Sequence, residues 1–310
     1  MRFVVCGEAL IDLIPVGGND SPQESAWRAV SGGGPMNTAV ALSRLGEPVE
    51  FLGRFGSDAF ATQLRDHLSG SGVGLGLAVH TDEPTSLAVV SLDGVGKASY
   101  TFHFDHTANF GWQAGEFPSL DAADWLHFGS IGAVVAPGAD ALLGFLRTTE
   151  ATLSYDINVR PTVLPDRVEY WDRVSDIMAI VGSSGGVVKA SDEDISLLLD
   201  DPDADVLDVA EQWASEYGLA LFVVTLGPDG AVAVKPDGRR TSAPGRSIHL
   251  VDTVGAGDTF MAGFLSAYVH DPHDVQAALA RGIGASAIVC TRQGANPPTR
   301  AELDAFLALA

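Results

Sequence analysis

Short apolar runs of strand length recur along this chain, and segments with helical periodicity separate them. The runs cover residues 3–7, 51–53, 124–128, 153–157, 187–189 and 221–225. The spacing of apolar residues predicts helices over residues 34–45, from Ser57 as the N-cap to Leu68, and from Pro137 to Arg147. Strands that are joined by helices pair in parallel. The pattern therefore predicts an α/β protein whose mostly parallel sheet has helices on both faces.

Two stretches interrupt this alternation. Residues 86–104 contain two strand-like runs around an Asp93-Gly94 turn, and residues 10–15 and 26–30 are candidates to pair with them. Strands that leave the main sheet predict a small β lid beside the core, formed by about residues 10–31 and 85–105. The C-terminal part is predicted to be helical over residues 256–269, 275–290 and 300–309. Because no linker or internal repeat interrupts the sequence, we expect residues 1–310 to form a single domain.

The charge balance excludes several classes of partner. With 40 acidic and 18 basic residues, the formal net charge is −22 at pH 7. Such a charge repels nucleic-acid phosphates and anionic membranes, so an anionic substrate would need positive potential supplied locally. The sequence has no apolar stretch of about 18 residues and no signal-peptide pattern. Its two cysteines, Cys6 and Cys290, cannot form a disulfide framework, so we expect a cytoplasmic protein. Both cysteines lie in apolar segments, so we expect them to be buried.

The most informative motif is the glycine-rich turn V-D-T-V-G-A-G-D-T-F at residues 251–260, which leads into an apolar helix. Gly255 and Gly257 allow close approach of the backbone to a ligand, and the first N–H groups of the helix lack intrahelical partners. Such a turn is typical of an anion site. Asp258 would repel a bound phosphate unless it acts on a hydroxyl while the N–H groups hold a phosphoryl group in transfer. From the residues alone, a capped helix after a tight turn is an equally good interpretation.

Three weaker motifs are candidates for ligand contacts. Residues 31–37, S-G-G-G-P-M-N, place Asn37 one turn into a helix, and its amide offers the donor and acceptor that a polyhydroxylated ligand needs. A flexible loop before a helix explains them equally well. Asp12 follows the first strand and could bind two adjacent hydroxyls, although a lone carboxylate is more often only solvated. Polar residues also follow two predicted strands, at 155–160 and at 225–230, where α/β proteins bind ligands.

Several competing motifs are absent or wrongly placed. The only Gly-Lys pair, Gly96-Lys97, is followed by alanine, so there is no Walker A loop. A dinucleotide fingerprint would need glycine at Phe260 or at Asn37, which disfavours a dehydrogenase. The two His-x-x-His pairs lack the companions of a zinc site. Gly-x-Ser-x-Gly occurs at residues 182–186, but it precedes the predicted strand at 187–189, whereas a nucleophile elbow follows a strand, so a hydrolase of that kind has no support.

With these motifs, the chain resembles the ribokinase-like (PfkB) carbohydrate kinases, and the resemblance extends over essentially its full length. G-G-G-P-M-N at residues 32–37 and D-T-V-G-A-G-D-T-F at residues 252–260 carry the resemblance. G-E-A-L-I-D at residues 7–12 is similar to the opening of bacterial fructokinase-type members. The resemblance implies a doubly wound α/β core with a small β lid, ATP as the phosphoryl donor and a sugar hydroxyl as the acceptor.

The resemblance also implies roles for individual residues. The catalytic base would be Asp258, and the anion hole would be formed by Gly255, Ala256 and Gly257. The sugar-binding positions would be Asp12, Gly32, Gly33, Asn37, Phe102 and Arg160. The nucleotide would be bound by Ser191, Thr225, Gly227, Gly230 and Ile283. Magnesium would involve Asp194, and a monovalent cation such as potassium would lie at Asp252, Thr253 and Gly294.

The sequence departs from the family pattern at three of the relevant positions. Asp194 replaces the glutamate of the family's N-x-x-E element, and its shorter arm weakens the case for direct contact with magnesium. Phe104 stands where many fructokinases have a lid arginine, which removes a contact to a sugar hydroxyl or carboxylate. Ile283 replaces an asparagine that often lies near the adenine, leaving an apolar wall.

These features predict an ATP-dependent sugar kinase with fructose as the acceptor and Mg²⁺ as a cofactor. The alternatives in the same class are a 2-keto-3-deoxygluconate kinase and a nucleoside kinase. A non-catalytic sugar- or nucleotide-sensing pseudokinase is a further alternative, and the intact Asp258 argues against it. The open edges of the lid strands suggest a homodimer.

Overall fold

The computed structural model describes residues 1–17, 23–92 and 98–309 and contains a large sheet, a small sheet, a two-stranded sheet formed by the fifth and sixth strands, and surrounding helices. The strands are β1 (Arg2–Cys6), β2 (Leu10–Pro15), β3 (Trp27–Gly32), β4 (Val49–Leu52), β5 (Arg54–Phe55), β6 (Val79–His80), β7 (Leu87–Leu92), β8 (Ala98–His103), β9 (Asp124–Gly129), β10 (Thr152–Asp156), β11 (Val187–Ser191), β12 (Leu221–Thr225), β13 (Ala231–Val234) and β14 (Arg240–Ala243). The helices are α1 (Gly34–Arg44), α2 (Ala59–Gly70), α3 (Gly138–Leu146), α4 (Arg167–Ser183), α5 (Asp192–Leu199), α6 (Val206–Glu216), α7 (Ala256–Tyr268), α8 (Val275–Cys290) and α9 (Arg300–Ala308).

The large sheet has eight strands in the order β14-β13-β12-β11-β10-β9-β1-β4. The six strands from β4 to β12 in this order are parallel, whereas β13 pairs with β12 and β14 pairs with β13 in antiparallel fashion. From β1 the chain proceeds first to β4 on one side and then to β9 on the other. The order in which strands are added therefore reverses between β1 and β9, which confirms the doubly wound fold. Such sheets bind ligands at the carboxyl ends of the strands next to this reversal.

Each face of the large sheet carries its own apolar core. Phe3 and Val5 of β1 contribute to one core, which the helices α1, α7 and α8 cover, while Val4 and Cys6 contribute to the core beneath α3, α4 and α6. Successive side chains of a strand point to opposite faces, so a strand that is covered on both sides reads as a continuous apolar run. This is why the strands were recognisable as uninterrupted apolar segments. Cys6 and Cys290 are free and buried, as expected.

The structure differs from the sequence-based expectation at several elements. Helix α2 begins after Asp58, whose carboxylate accepts the Ala61 N–H at 2.7 Å, so the prediction of Ser57 as its N-cap was wrong. The antiparallel strands β13 and β14 and the helices α4 to α6 were not predicted individually. The apolar positions of α4 do repeat with helical spacing, from Tyr170 through Val174 to Val181. The predicted Asp93-Gly94 turn lies outside the described residues.

The small sheet has four strands in the order β3-β2-β7-β8. Strands β2 and β3 are antiparallel with Leu10 opposite Gly32, and β2 pairs in parallel with β7. Four aromatic rings follow one another from β8 toward the core: Tyr100, Phe102, Phe104 and Phe110, with neighbouring centroids 6.0, 4.8 and 4.5 Å apart. A membrane-spanning helix is not found within residues 1–17, 23–92 and 98–309, since none there is sufficiently long and apolar.

Candidate active site

A cleft of about 1150 Å³ opens where the central strands of the large sheet end. Residues that follow β10, β11 and β12 line it, together with the segment between β14 and α7 and one face of α8. This is the carboxyl edge of the sheet, where parallel α/β folds bind ligands. Most of the residues predicted from the motifs line this cleft or lie beside it.

The glycine-rich motif forms the start of α7. Gly255 adopts a left-handed conformation with φ of 74° at the N-cap, and no side chain caps the helix. Within the described part of the chain, the N–H groups of Gly255 and Gly257 have no acceptor, while the Ala256 N–H donates to the Thr253 carbonyl at 3.1 Å. Free N–H groups at a helix start are suited to hold an anion, so the geometry is compatible with the predicted anion hole of Gly255, Ala256 and Gly257, which stays a prediction.

Asp258 and Asn37 come together although they are 221 residues apart in sequence. The Asn37 Nδ2 donates to Asp258 Oδ2 at 2.9 Å, because α1 and α7 pack side by side. Burial raises the pKa of Asp258 to about 7, and the charge of Asp156 adds to this, while the Asn37 hydrogen bond and the charges of Lys189 and Arg160 act in the opposite direction. A carboxylate that titrates near neutrality is suited to accept a proton at physiological pH.

Gly34 lies at the centre of a group of polar side chains. A Cβ atom on Gly34 would be 3.2 Å from Asp258 Oδ1, 3.3 Å from Asn158 Nδ2 and 3.5 Å from Ser130 Cβ. Asn158 donates to Ser130 Oγ at 3.1 Å, and both residues have positive φ, 44° and 56°. Non-glycine residues in this conformation are strained, and such strain is concentrated at functional sites. Asp258, Asn158 and Ser130 therefore lie close around Gly34, where a Cβ atom would make tight contacts with two of them.

Ser130 was not among the predicted site residues, whereas Asn158 belongs to the motif at 155–160 that was a candidate for ligand contacts. Ser130 directly follows β9. The available signal was their position at the carboxyl ends of β9 and β10. Nothing in the local sequence indicates that Ser130 takes a left-handed conformation.

Glu8 and Asp12 approach the same region from β1 and β2. Glu8 is buried, and its Oε2 accepts the Gly132 N–H at 3.0 Å. A Cβ on Gly33, where φ is +119°, would be 2.4 Å from the Glu8 carbonyl oxygen, so this position requires glycine. Asp12 Oδ2 would be 2.5 Å from a Cβ on Gly32, and burial raises the pKa of Asp12 to about 6.

The small sheet lies next to the cleft. Burial and the charges of Asp12 and Asp252 raise the pKa of the Tyr100 hydroxyl, while Arg160 lowers it, so all three charges act on this lid residue. Phe102 is partly buried within the aromatic series of the lid. Arg160 lines the cleft without a carboxylate partner among the described side chains, and its guanidinium donates to the Val159 carbonyl at 2.8 Å.

The predicted nucleotide residues lie together at the other end of the cleft. All five line it: Ser191, Thr225, Gly227, Gly230 and Ile283. Gly230 has φ of +103°, and a Cβ there would be 2.1 Å from the Ala243 carbonyl oxygen. The turn after β12 thus packs directly on the segment after β14, which leaves no room for a side chain.

Asp194 connects two parts of the site. Its Oδ2 accepts the Ser191 N–H at 2.8 Å within a capping box of α5, and its Oδ1 accepts the Val159 N–H at 2.7 Å. The carboxylate therefore holds the segment with Asn158 and Arg160 against the start of α5. Both oxygens already accept backbone hydrogen bonds, so direct coordination of magnesium by Asp194 would compete with them.

Asp252 connects the loop before α7 to the turn after α8. Its Oδ2 accepts the Gly294 N–H at 2.9 Å, and its Oδ1 accepts the Val254 N–H at 3.1 Å. The structure thus brings Asp252, Thr253 and Gly294 together beside the start of α7. Throughout the part of the chain that the structure describes, no three His, Cys, Asp or Glu side chains are grouped so as to hold a metal ion.

Lys189 is a further polar residue of the cleft that was not predicted as a site residue. Its Nζ lies 3.0 and 3.1 Å from the two carboxylate oxygens of Asp156, and the two side chains are only 5% and 7% exposed. The sequence signal was available, because a lysine in the middle of the apolar strand β11 is costly to bury without a partner.

Comparison with known proteins identifies the family of this chain. The model of the pfkB family carbohydrate kinases matches residues 2–302. A fructokinase from Rhizobium leguminosarum bv. trifolii is 34% identical over 272 residues, which are 87% of this chain and 80% of that protein. Fructokinase-1 from Zea mays is 32% identical over 96% of this chain and 94% of its own length.

Solved structures are similar over almost the whole chain. The fructokinase from Vibrio cholerae O395, solved with fructose, ADP and calcium ion, has a TM-score of 0.84 and 30% identity, covering 99% of this chain and 98% of that chain. The fructokinase from Xylella fastidiosa with bound ATP has a TM-score of 0.87 and 27% identity, with 99% and 98% coverage. The chain belongs to the pfkB family of carbohydrate kinases and is a phosphotransferase with an alcohol group as acceptor.

Proposed function

We propose that this chain is an ATP-dependent fructokinase, which transfers the γ-phosphoryl group of ATP to a hydroxyl of fructose. The observation that carries the proposal is the position of Asp258, which lies beside free N–H groups of the α7 start and hydrogen bonds to Asn37 at 2.9 Å. The fructokinases of similar sequence, and the similar fructokinase structure with fructose and ADP, support this acceptor and this donor.

The proposed reaction uses Asp258 as the general base. Its carboxylate takes the proton of the sugar hydroxyl as the hydroxyl oxygen bonds to the γ-phosphorus, while the bond from that phosphorus to the bridging oxygen breaks and ADP leaves. The N–H groups of Gly255 and Gly257 hold the charge of the phosphoryl group during transfer. Such transfer depends mostly on positioning and charge neutralisation, which this arrangement supplies.

Polar groups around Gly34 would bind the sugar. Asn37, Asn158 and Ser130 offer donors and acceptors there, and Asp12 and Gly32 approach from the small sheet. Arg160 and Phe102 would contact the acceptor from the segment after β10 and from the lid. We also assign residues 1–310 to a single kinase domain, with the small sheet as a lid that excludes water from the reaction.

Magnesium and potassium are the cations that we propose for this site. Magnesium commonly binds through substrate phosphates and keeps several waters, so it would enter with ATP. Since both oxygens of Asp194 accept backbone N–H groups, we assign Asp194 to the waters of the ion. The loop with Asp252 and Thr253, which Asp252 joins to Gly294, would hold potassium beside the anion site.

One observation favours a second acceptor class. The lid presents a series of aromatic rings, Tyr100, Phe102 and Phe104, and a planar base can stack on such rings. A nucleoside is therefore the second candidate. A keto-deoxy acid has less support, because Phe104 offers no cation for its carboxylate.

Screening of acceptors with a coupled assay of ADP release tests the proposal. Fructose, other hexoses, pentoses, 2-keto-3-deoxygluconate and nucleosides are compared by kcat/KM. We expect fructose to exceed every other acceptor by tenfold or more, which corresponds to about 1.4 kcal/mol. A nucleoside or keto-deoxy acid that exceeds all hexoses by the same factor contradicts the assignment of fructose and leaves the kinase chemistry in place.

We further propose that the protein is cytoplasmic, since ATP is a cytoplasmic co-substrate. We also propose that it is a homodimer that pairs through the lid. β3 and β8 are the edges of the small sheet, and Trp27 and Tyr100 on them are 43% and 45% exposed. Unpaired edges with exposed aromatic rings favour association. Light scattering should give twice the chain mass for the wild type and a monomer for Trp27→Lys; a monomeric wild type contradicts the dimer.

A further inference from the structure

A buried ion pair, Lys189 with Asp156, lies at the floor of the cleft and has no part in the reaction as described above. The two residues are direct neighbours across the parallel strands β10 and β11. The Lys189 Nζ is 3.0 and 3.1 Å from the carboxylate oxygens of Asp156, and neither side chain is more than 7% exposed.

Stability alone does not account for this pair. Withdrawing two charges from water costs several kcal/mol per ion, and apolar replacements of buried pairs are often neutral or stabilising. The residues around it in β11 are apolar, so an apolar pair would continue the core there. An ion pair in such a position at the ligand-binding edge indicates a functional role.

Lys189 keeps its charge. Burial lowers the pKa of Lys189, but the carboxylates of Asp156, Asp194 and Asp258 outweigh this and raise it above its usual value. An ammonium group has three N–H donors, and Asp156 offers partners for two of them. One donor is therefore left for a ligand.

The ammonium group lies against the anion site. A Cβ atom on Gly257 would be 3.1 Å from Lys189 Nζ, and Lys189 lines the cleft beside Gly257 and Ala256. The same cleft is lined by three carboxylates, Asp192, Glu193 and Asp194, in a chain with a net charge of −22. A phosphate that enters it needs a nearby positive charge, and Lys189 holds one at the backbone of the anion site.

We propose that Lys189 is a further catalytic residue of phosphoryl transfer: Asp156 orients its ammonium group, and the remaining N–H binds an oxygen of the phosphoryl group in transfer. The inference rests on the proposed ATP-dependent kinase reaction but not on the identity of the acceptor. The competing explanation is that Lys189 only neutralises Asp156, so that a buried carboxylate does not repel ATP.

A double-mutant cycle separates the two explanations. Lys189→Met, Asp156→Asn and the double variant are compared with the wild type, and Lys235→Met serves as a control at the other lysine within the described ranges. We expect kcat to fall about 100-fold or more in both Lys189→Met and the double variant, as for loss of one donor to a developing oxyanion. Asp156→Asn should lose less, because the ammonium group remains, and Lys235→Met should match the wild type.

The double variant decides the outcome. If Lys189 only balances Asp156, the neutral Asn–Met pair restores kcat to within a few-fold of the wild type, and this result overturns the proposal. If Lys189→Met does not fold, the double variant still tests the proposal, because it leaves no unpaired buried carboxylate. Melting temperature is measured for each variant, and the affinity for a non-hydrolysable ATP analogue should change much less than kcat.

Failure of this inference can be told apart from failure of the proposed function. If the wild type phosphorylates another acceptor better than fructose, the cycle is measured with that acceptor and remains decisive. An active wild type with an equally active Lys189→Met contradicts only the role of Lys189. A wild type that transfers no phosphoryl group to any acceptor contradicts both proposals.

Discussion

At the scale of single residues, the surroundings of Asp258 determine what it can do. Burial raises the pKa of Asp258 to about 7, and the Asn37 amide fixes one carboxylate oxygen at 2.9 Å. An exposed aspartate, with a pKa of about 3.9, would be a much weaker base. The same burial makes the ionised form of Asp258 unfavourable in the folded protein. The ionised carboxylate therefore serves catalysis but lowers stability.

We expect Asp258→Asn to lower kcat by about 10²–10⁴-fold, the usual contribution of a general base. Asparagine has nearly the same shape, so affinities for fructose and an ATP analogue should be almost unchanged. Steady-state kinetics and calorimetric titration on one preparation test this. Asp66→Asn, on the exposed side of α2, is the matched control. A variant with kcat within about fivefold of the wild type would show that Asp258 is not the base.

The same variant should be more stable than the wild type at high pH. Because the pKa of Asp258 is about 7 in the folded state and near 3.9 when unfolded, the folded protein retains a proton that the unfolded chain loses. Folded-state stability is therefore lost as pH rises from about 4 to 7, and asparagine avoids this loss. Melting temperatures at pH 4 and pH 8 should show a gain for Asp258→Asn only at pH 8. An equal effect at both values contradicts the shifted pKa.

Gly34→Ala is expected to reduce kcat/KM for fructose by about 10–100-fold, because small displacements of reacting groups have effects of this size. The new methyl group would be 3.2 Å from Asp258 Oδ1 and 3.3 Å from Asn158 Nδ2, inside the proposed sugar site. Thermal stability should change little, since Gly34 has ordinary helical backbone. Gly144→Ala, where a Cβ meets no atom within 4 Å, is the control. Unchanged kinetics for Gly34→Ala would place the sugar elsewhere.

At the scale of elements, carboxylates hold the loops of the site in place. Asp194 connects the start of α5 with the segment after β10, and Asp252 connects the loop before α7 with the turn after α8. Each does so by accepting backbone N–H groups, which fixes loop geometry more tightly than a side-chain pair would. These bonds connect the loops at the strand ends to one another, while the lid lies on a separate sheet.

Asp194→Ala should lower the free energy of unfolding by about 1–3 kcal/mol, because buried N–H groups lose their acceptor. KM for fructose should also rise, since Val159 lies between Asn158 and Arg160. Ser191→Ala is the matched control for stability: it removes the N-cap of α5 but not the link to Val159, and it should cost about 1 kcal/mol or less. Because Ser191 is also a predicted nucleotide residue, KM for fructose is compared at saturating ATP. Denaturant unfolding without nucleotide or metal measures the free energy of unfolding of both variants. If Asp194→Ala and Ser191→Ala changed stability and KM equally, the hydrogen bond from Val159 to Asp194 would contribute nothing.

Potassium should increase kcat, because a cation at Asp252, Thr253 and Gly294 would order the loop that begins the anion site. Kinetics in potassium, sodium and tetramethylammonium chloride at one ionic strength test this. Asp252→Ala should abolish the difference, because the carboxylate that holds Gly294 at 2.9 Å is gone. Equal kcat in the three salts for the wild type contradicts the cation site.

At the scale of the whole molecule, the net charge of −22 opposes the approach of ATP. Many of the arginines are paired with surface carboxylates, such as Arg240 with Asp208 and Arg292 with Glu302. The positive charge available to a phosphate is therefore concentrated in the cleft, where Arg160, Lys189 and Arg246 line the walls.

Added salt should therefore raise kcat/KM for ATP. Between about 10 and 150 mM salt the Debye length falls from about 30 to 8 Å, which screens the repulsion of an anion by the acidic surface. Tetramethylammonium chloride is varied at constant potassium and magnesium. Fructose is uncharged, so its kcat/KM at saturating ATP is the internal control and should stay constant. A fall in kcat/KM for ATP would mean that attraction by the cleft outweighs the net charge.

The sequence by itself determined the architecture and the principal motifs. Alternating apolar runs and helical segments indicate a parallel sheet because burial on both faces leaves a continuous apolar pattern. The segments at 32–37 and 252–260 indicate a kinase through their resemblance to the pfkB family, whereas their glycines before a helix indicate by themselves only a turn suited to binding an anion. Local signals of this kind identified Asp258 and Asn37 individually, whereas Ser57 as a cap was wrong because adjacent Asp58 competes for the same N–H groups.

Only the tertiary structure decided how the site residues meet. The contact of Asn37 with Asp258 spans 221 residues and depends on the packing of α1 against α7. Lys189 finds Asp156 through the register of β10 and β11, and Ser130 reaches Asn158 through left-handed backbone conformations. Periodicity records which face of an element is apolar, but not which residues of distant elements become neighbours. Those neighbours, together with their burial, set the pKa of Asp258 and the polar surface around Gly34.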